Sequence, residues 1–334
     1  HDVVAIGNAI VDVLASAEDS FIEEIGVAKG PMQLIFSPED ADALYDRMGP
    51  GREISGGSAG NTVARLAALG SRSAFIGQAA DDQLGQVFAH DLRATGVDFA
   101  TEVRSGAPST ARCLIFVTPG GQRTMNTFLG ASQFLPEKAL DRDLIAGGAI
   151  LYLEGYLWDP EEPRQAMRAG IEIARDAGRK VAFTLSDVFC INRHGGDFRK
   201  LIAEGLIDIL FANENELLAL AEVEDFEAAV AKVSAQVPVL VVTRSEKGAI
   251  AISDGVRAEV SAEPIDKVVD TTGAGDLFAA GFLHGQAQGW SLEKSLKLGA
   301  VCAAEIISHY GARPEVGLRA LAAGKLRRPQ NGAP

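Results

Sequence analysis

The segment 270–276, which reads Asp-Thr-Thr-Gly-Ala-Gly-Asp, sets small residues and carboxylates directly ahead of an apolar stretch, 277–288, that predicts a helix. The small residues let the backbone approach a ligand closely, and their amides lie at a helix start, where partial positive charge favours an anion. Asp276 falls in the first turn of this helix, where it is either a favourable N-terminal carboxylate or a base for an alcohol proton. The spacing supports both interpretations equally, and the second is the arrangement that phosphoryl transfer requires.

The segment 56–61, which reads Gly-Gly-Ser-Ala-Gly-Asn, is a second glycine-rich turn ahead of a predicted helix. Such a turn is often only a tight connection with close helix packing. Its backbone amides and the Asn61 carboxamide also suit the hydroxyl groups of a sugar. The sequence has no GxxxxGK[ST] loop, and GxGxxG fails because Phe278 stands where the third glycine would be. The absence of these two motifs weakens a dinucleotide-binding interpretation.

Apolar runs and helical patterns alternate along most of the chain. Buried strands are predicted at 3–7, 73–77, 149–153, 181–185, 208–212 and 239–243, and helices at 59–69, 83–94, 162–177, 214 onward and 226–236. This alternation, with continuously apolar strands, predicts a parallel sheet covered on both faces. A hairpin is predicted over 250–260 around Asp254 and Gly255.

Two stretches do not follow this alternation and predict a small β-rich lid over the site. We therefore expect a large α/β domain made of residues 1–11, 54–96 and 119–324, and a small β lid made of 12–53 and 97–118. The segment 325–334 is expected to be a loose tail.

The 334 residues carry a net charge of −14, which disfavours binding to nucleic acid through its phosphates. No apolar run approaches the length of about 20 residues that a membrane span needs, and no secretory signal is recognised. The three cysteines contain no CxxC pair, so they predict neither a zinc site nor a disulfide framework, and they favour a cytoplasmic protein.

Taken together, the two glycine-rich segments resemble the paired signatures of the ribokinase-like carbohydrate kinases, the PfkB family. The resemblance covers nearly the whole chain, and it departs at Val63, where a small residue is usual. It implies a doubly wound, mostly parallel α/β sheet with a small β-rich lid, and in-line transfer from ATP to a primary alcohol. Asp276 matches the family's catalytic base. The matching anion hole consists of Gly273, Ala274 and Gly275.

The resemblance also implies cofactor sites. Asn213 and Glu216 match an Asn-x-x-Glu motif that organises magnesium, its waters and the ATP phosphates. Thr243 and Gly248 match the nucleotide loop, in which Ser245 stands where glycine is usual. A monovalent cation, potassium, is implied near the anion hole, with ligands expected from Asp270, Thr272 and Gly311.

For the acceptor substrate, Asp12 matches the family aspartate that binds two sugar hydroxyls, and a carboxylate is apt for a diol. We expect it to act with Gly56, Gly57, Ser58 and Asn61. The segments 7–13 and 57–62 resemble adenosine kinases, in which Asn8 would reach a purine. Arg123 follows the lid strand, and Tyr156 could stack on or wall off a base. Glu154 instead resembles ribokinase, where a carboxylate meets a sugar hydroxyl.

We therefore predict phosphorylation of the 5′-hydroxyl of adenosine to AMP, with ATP, Mg²⁺ and K⁺ as cofactors, in purine salvage. Ribokinase, or another sugar kinase of the family, is the first alternative. A nucleoside-binding protein without catalysis and an unrelated α/β oxidoreductase are alternatives of other classes. The intact Asp276, Asn213 and Glu216 argue against the former, and the failed GxGxxG pattern against the latter. The expected partners are small molecules only, and the protein is expected to be a monomer or a homodimer.

Overall fold

The computed structural model describes residues 1–27, 32–120, 122–309 and 316–326. Its strands are β1 (Val3–Ile6), β2 (Ile10–Ser16), β3 (Met32–Ile35), β4 (Gly51–Gly56), β5 (Ser73–Ile76), β6 (Asp98–Phe99), β7 (Ala111–Val117), β8 (Arg123–Phe128), β9 (Ile150–Glu154), β10 (Lys180–Thr184), β11 (Ile209–Asn213), β12 (Val239–Thr243), β13 (Ala249–Ser253) and β14 (Val256–Val260). Its helices are α1 (Asp19–Glu24), α2 (Pro38–Asp46), α3 (Ser58–Leu69), α4 (Gln83–Ala94), α5 (Arg142–Gly147), α6 (Glu161–Asp176), α7 (Val188–Ala203), α8 (Glu214–Ala221), α9 (Phe226–Ser234), α10 (Ala274–Ala287), α11 (Leu292–Ile307) and α12 (Leu318–Leu326).

Within the described residues, a nine-stranded sheet has the order β14-β13-β12-β11-β10-β9-β1-β5-β6. Seven neighbouring strands of this sheet run parallel, namely β12, β11, β10, β9, β1, β5 and β6. β13 and β14 add an antiparallel hairpin at the β12 edge. Every residue of β1 is fully buried because separate apolar clusters cover the two faces of the sheet. The predicted doubly wound α/β fold is confirmed, since helices on both faces are what a parallel sheet requires.

A second sheet has the order β3-β8-β7-β2-β4 and forms the predicted lid. The predicted boundaries are wrong at two places. β8 was assigned to the large domain, but it pairs antiparallel with β7 in the second sheet. β6 was assigned to the lid, but it pairs with β5 at the edge of the large sheet.

The predicted strands, and the helices that were assigned, agree with the structure to within a few residues, and β12 agrees at both ends. Sequence reasoning did not assign α7 or α11. Of the predicted loose tail, Lys325 and Leu326 are instead the end of α12, which packs on α11 through Leu318 and Ala322. Residues 327–334 lie outside the described residues. Among the residues described, no helix is long and apolar enough to cross a membrane.

Helix α10, which carries Asp276, lies in very close contact with α11. A Cβ placed on Gly281 would lie 2.7 Å from the backbone nitrogen of Gly299, and one on Gly299 would lie 2.9 Å from the carbonyl oxygen of Phe278. A real side chain at either position would therefore collide with the opposing backbone. Because both positions are glycine, α11 braces the helix that positions the predicted catalytic base.

Candidate active site

The two glycine-rich turns, which are far apart in sequence, meet at Asp276. Gly57 and Gly273 are the N-caps of α3 and α10, with φ of 83° and 77°, a backbone region that suits glycine. Ser58 Oγ donates to Asp276 Oδ1 at 2.6 Å, and Asn61 Nδ2 donates to Oδ2 at 3.3 Å. Two side chains of α3 therefore orient the carboxylate of Asp276.

The environment of Asp276 raises its pKa to about 7. Burial is the main cause, the hydrogen bonds from Ser58 and Asn61 oppose it, and the negative charges of Glu154 and Asp12 add to it. A base for an alcohol is most effective when its pKa lies near the working pH. With its pKa near 7, the Asp276 carboxylate can accept a proton from an alcohol at neutral pH.

The predicted anion hole lies at the start of α10. Gly273 has a left-handed conformation that turns the chain into the helix, with Ala274 and Gly275 in its first turn. The first amides of a helix have no acceptor inside it and carry partial positive charge. Ala274 N already donates to Thr271 O at 3.2 Å. The turn can therefore hold an anionic group beside Asp276.

Asp270, at the start of the same segment, is held by an ion pair with the lid. Arg123 Nη1 lies 2.8 Å from Asp270 Oδ2, and the two side chains are only 8% and 9% exposed. Asp270 Oδ1 accepts the amide of Thr272 at 3.0 Å. The residues present do not fit the predicted potassium ion, because a guanidinium stands against its carboxylate ligand. Gly311, the third predicted ligand, lies outside the described residues.

Asp12 lies on β2 against the first glycine-rich turn. A Cβ on Gly56 would lie 2.5 Å from Asp12 Cγ, and one on Gly57 would lie 2.4 Å from the carbonyl oxygen of Asn8. Both glycines are therefore needed for this packing. Asn61 is 7% exposed, and its Oδ1 has no hydrogen-bond partner within the described residues. The side-chain oxygens of Asp12 and Asn61 can accept hydrogen bonds from hydroxyl groups.

Glu154 and Asn8 are hydrogen-bonded to each other and do not face a ligand. Glu154 Oε1 accepts from Asn8 N at 2.8 Å and from Asn8 Nδ2 at 2.7 Å, while Oε2 accepts from Ala59 N at 2.7 Å. Glu154 is fully buried and Asn8 is 3% exposed. In this structure neither the predicted contact of Glu154 with a sugar hydroxyl nor that of Asn8 with a purine is available. The pair instead fastens the start of α3 to the ends of β1 and β9.

Of the two aromatic residues that follow β9, one faces the core and one the site. Trp158 is fully buried, donates from Nε1 to Asp197 Oδ2 at 3.0 Å and packs against Phe183. Tyr156 is 37% exposed, and its hydroxyl donates to the carbonyl oxygen of Ser186 at 3.3 Å. Of the pair, only Tyr156 is placed to wall off a substrate.

Asn213 and Glu216 form a reciprocal cap at the start of α8. Glu216 N donates to Asn213 Oδ1 at 2.8 Å, and the Glu216 carboxylate accepts from Asn213 N at 2.9 Å and from Nδ2 at 2.8 Å. Burial raises the pKa of Glu216 to about 7, and the charge of Asp187 adds to this. Within the described residues no three ligand side chains gather around one point. This donor set fits magnesium, which usually keeps several waters and binds one or two carboxylates plus phosphates.

The predicted nucleotide loop follows β12. Ser245 has φ of 52°, which explains why glycine suits this position, and Gly248 has φ of 89°. Arg244, in this loop, pairs with Glu214 at 3.5 Å and lies over the Phe226 ring at 3.9 Å. Thr243 ends β12 beside Asn213 of β11, so the loop adjoins the Glu216 cap.

Sequence reasoning missed an apolar surface on the lid. The strand register aligns Asp12, Cys113, Thr127 and Leu34 in one row across the sheet, and Leu14, Ile115, Met125 and Met32 in the next. Arg123 shares this face, and its pairing with Asp270 shows that the face is turned toward the large domain. Leu34 and Met32 are 44% and 46% exposed. The signal in the sequence was the spacing of apolar residues by two in β3, but no pattern could show which face they occupy.

A buried carboxylate beside the first amides of a helix, at the strand ends of a doubly wound sheet with a second, smaller sheet, is the arrangement expected of a small-molecule kinase. The chain belongs to the pfkB family of carbohydrate kinases, whose family model matches residues 26–316. It is a phosphotransferase that acts on an alcohol group of a sugar or nucleoside, and kinases of this family use ATP and Mg²⁺.

Similar proteins include both sugar and nucleoside kinases. The solved structure of an adenosine kinase from Sinorhizobium meliloti is 48% identical with a TM-score of 0.89, covering 97% of this chain and 99% of that one. A probable sugar kinase from Rhizobium etli CFN 42 is 46% identical with a TM-score of 0.89, covering 97% and 98%. A fructokinase from Klebsiella pneumoniae is 30% identical over 74% of this chain and 82% of its own.

Proposed function

We propose that this kinase transfers the γ-phosphoryl group of ATP to the 5′-hydroxyl of adenosine, giving AMP and ADP. The observation that favours adenosine over a free sugar is the row of residues that joins Asp12 to Leu34. This row lies on the face of the lid that is turned toward the large domain. A nucleoside has a polar diol at one end and a flat, largely apolar ring at the other. A free pentose or hexose has hydroxyls all round and leaves exposed apolar side chains without a partner. The likeness to the S. meliloti adenosine kinase supports the same choice.

In this proposal the ribose hydroxyls bind Asp12 and the buried Oδ1 of Asn61, and the base rests on Leu34, Met32 and Met125. The 5′-hydroxyl then points at Asp276, whose carboxylate is held by Ser58. With the lid closed, water is excluded from the site, which limits hydrolysis of ATP.

Asp276 accepts the hydroxyl proton as the oxygen attacks the γ-phosphorus. Of the predicted anion hole, the amides of Gly273 and Gly275 face the negative charge that develops on the transferring group, since the Ala274 amide already donates to Thr271 O. Glu216 would hold magnesium through water, together with the ATP phosphates, and the ion would supply further positive charge there. Thr243 and Gly248 shape the nucleotide side of the site. A role in purine salvage and a cytoplasmic location follow from this reaction and from three buried, unpaired thiols.

A sugar kinase is the second candidate, and the likeness to the R. etli probable sugar kinase and to the K. pneumoniae fructokinase favours it. The test is ADP release with ATP and Mg²⁺, offering adenosine, inosine, ribose and fructose separately. We expect kcat/KM for adenosine to exceed that for either free sugar by at least about 10³. Efficient turnover of a free sugar, with none of a nucleoside, would replace the proposal by the second candidate.

A further inference from the structure

The ion pair between Arg123 and Asp270 joins the two sheets at the edge of the anion hole. Arg123 begins β8 in the lid, and Asp270 lies in the segment that leads into α10. The separation of Nη1 and Oδ2 is 2.8 Å, and both side chains are less than one-tenth exposed. A pair this well shielded from water is little screened by salt, unlike an exposed pair.

The position of Asp270 is itself fixed by the large domain. Its backbone nitrogen and that of Val269 donate to the carbonyl oxygen of Ile307, at 3.4 and 2.7 Å. Its Oδ1 accepts the amide of Thr272, the residue before Gly273. The guanidinium on Oδ2 therefore places one full positive charge close to the amides that receive the transferring phosphoryl group.

A monovalent cation at Asp270 would place the same charge in the same region. The two cannot share the carboxylate without strong repulsion, because two like charges a few ångströms apart in a shielded site oppose each other. The guanidinium differs from a monovalent cation because it is covalently attached to the lid. Its presence at Asp270 therefore does not depend on the salt concentration of the solution.

We propose that the guanidinium of Arg123 takes the place of a monovalent cation at Asp270, so that this kinase needs no potassium. The positive charge beside the anion hole is then supplied by a side chain of the lid. Removing the guanidinium leaves a shielded carboxylate, which should then recruit a small cation from solution.

The test compares KCl with tetramethylammonium chloride, a cation too large for the site, at about 0.1 M, where the Debye length is about 10 Å in both. The readout is the Tm of the protein without substrate, so the result does not depend on which acceptor is phosphorylated. A cation that binds the folded state with a dissociation constant well below 0.1 M raises the Tm by several degrees at this salt concentration. We expect the two salts to give the wild type the same Tm within about 1 °C.

Three variants complete the design. Arg123→Met keeps most of the stem and loses the charge, so K⁺ should raise its Tm relative to tetramethylammonium by several degrees. Arg123→Lys keeps the charge and should behave as the wild type. The double variant Arg123→Met with Asp270→Asn removes the carboxylate and should lose the response to K⁺. A K⁺-dependent Tm in the wild type, or an Arg123→Met protein indifferent to K⁺, would overturn the proposal.

Discussion

Ser58 Oγ donates to Asp276 Oδ1 at 2.6 Å, and this bond joins residues 218 positions apart in the chain. It links the first turn of α3 to the first turn of α10, so the helix that follows the first glycine-rich turn also orients the carboxylate of Asp276. The same bond opposes the effect of burial on the carboxylate and keeps the pKa of Asp276 within reach of neutral pH. Four predictions follow from this arrangement and its surroundings.

Asp276→Asn should abolish proton acceptance while keeping the shape of the side chain. We expect kcat to fall by about 10²–10⁴ and KM for the acceptor to change by less than about threefold, as for a group that acts only in the transition state. The measurement is steady-state ADP release. Asp254→Asn is the matched control, because Asp254 lies in an exposed turn with φ of 49°, which asparagine tolerates. Near-wild-type turnover by Asp276→Asn would remove the base from the mechanism.

The pH dependence of kcat/KM should report the pKa of Asp276, which is about 7. Since only the ionised carboxylate accepts a proton, activity should fall as the pH is lowered through 7, by about tenfold per unit below it. Ser58→Ala removes a donor that lowers this pKa, so the acid limb should move to higher pH by about one unit. The exposed Ser261→Ala is the control. A limb that stays in place, or moves to lower pH, contradicts the role of Ser58.

Glu154→Gln should lower stability. The two carboxylate oxygens accept three hydrogen bonds from Asn8 and Ala59, and the side chain is fully buried. In the glutamine variant, the NH₂ group would face an N–H donor in place of one carboxylate oxygen. This should lower the free energy of unfolding by about 1–3 kcal/mol. Denaturant unfolding at neutral pH measures the loss. Glu137→Gln, at an exposed position, should unfold as the wild type does. Equal stability of the two variants would mean that the carboxylate of Glu154 does not fasten α3.

Leu34→Asn should weaken nucleoside binding without changing the chemical step. Burying a leucine side chain against a ligand is worth about 1.5–3 kcal/mol, so KM for adenosine should rise by about tenfold or more with kcat nearly unchanged. Val256→Asn is the matched control, since Val256 is 64% exposed at the hairpin edge of the large sheet. If KM for adenosine is the same in both variants, the base does not rest on the lid.

The parts of the fold that depend on local pattern could be predicted from the sequence. β12 is a run of β-branched and leucine residues ending at Thr243, and α3 begins after two glycines and ends at Gly70, so composition alone marks them. β8 was misassigned because Thr124, Thr127 and Asn126 put polar residues on both of its faces. Its place in the lid depends on pairing with β7, which no local pattern encodes.

In the candidate site, the residue types were predictable and their partners were not. The resemblance led to Asp276, Asn213 and Glu216 because these residues lie in short contiguous motifs. Glu154 was assigned to substrate because it resembles the ribokinase carboxylate, and Arg123 because it follows the lid strand. Their actual partners, Asn8 and Asp270, are distant in the chain, and only the packing of one sheet against another brings them within hydrogen-bonding distance.

The contact between Gly281 and Gly299 also bears on the anion hole of the proposed mechanism. Water stabilises a new charge only after its dipoles have turned toward it, and that reorientation consumes part of the energy gained. Amides at the end of a helix that another helix holds backbone to backbone do not have to turn. In the proposed mechanism, the absence of side chains at Gly281 and Gly299 thereby lowers the reorganisation energy of phosphoryl transfer.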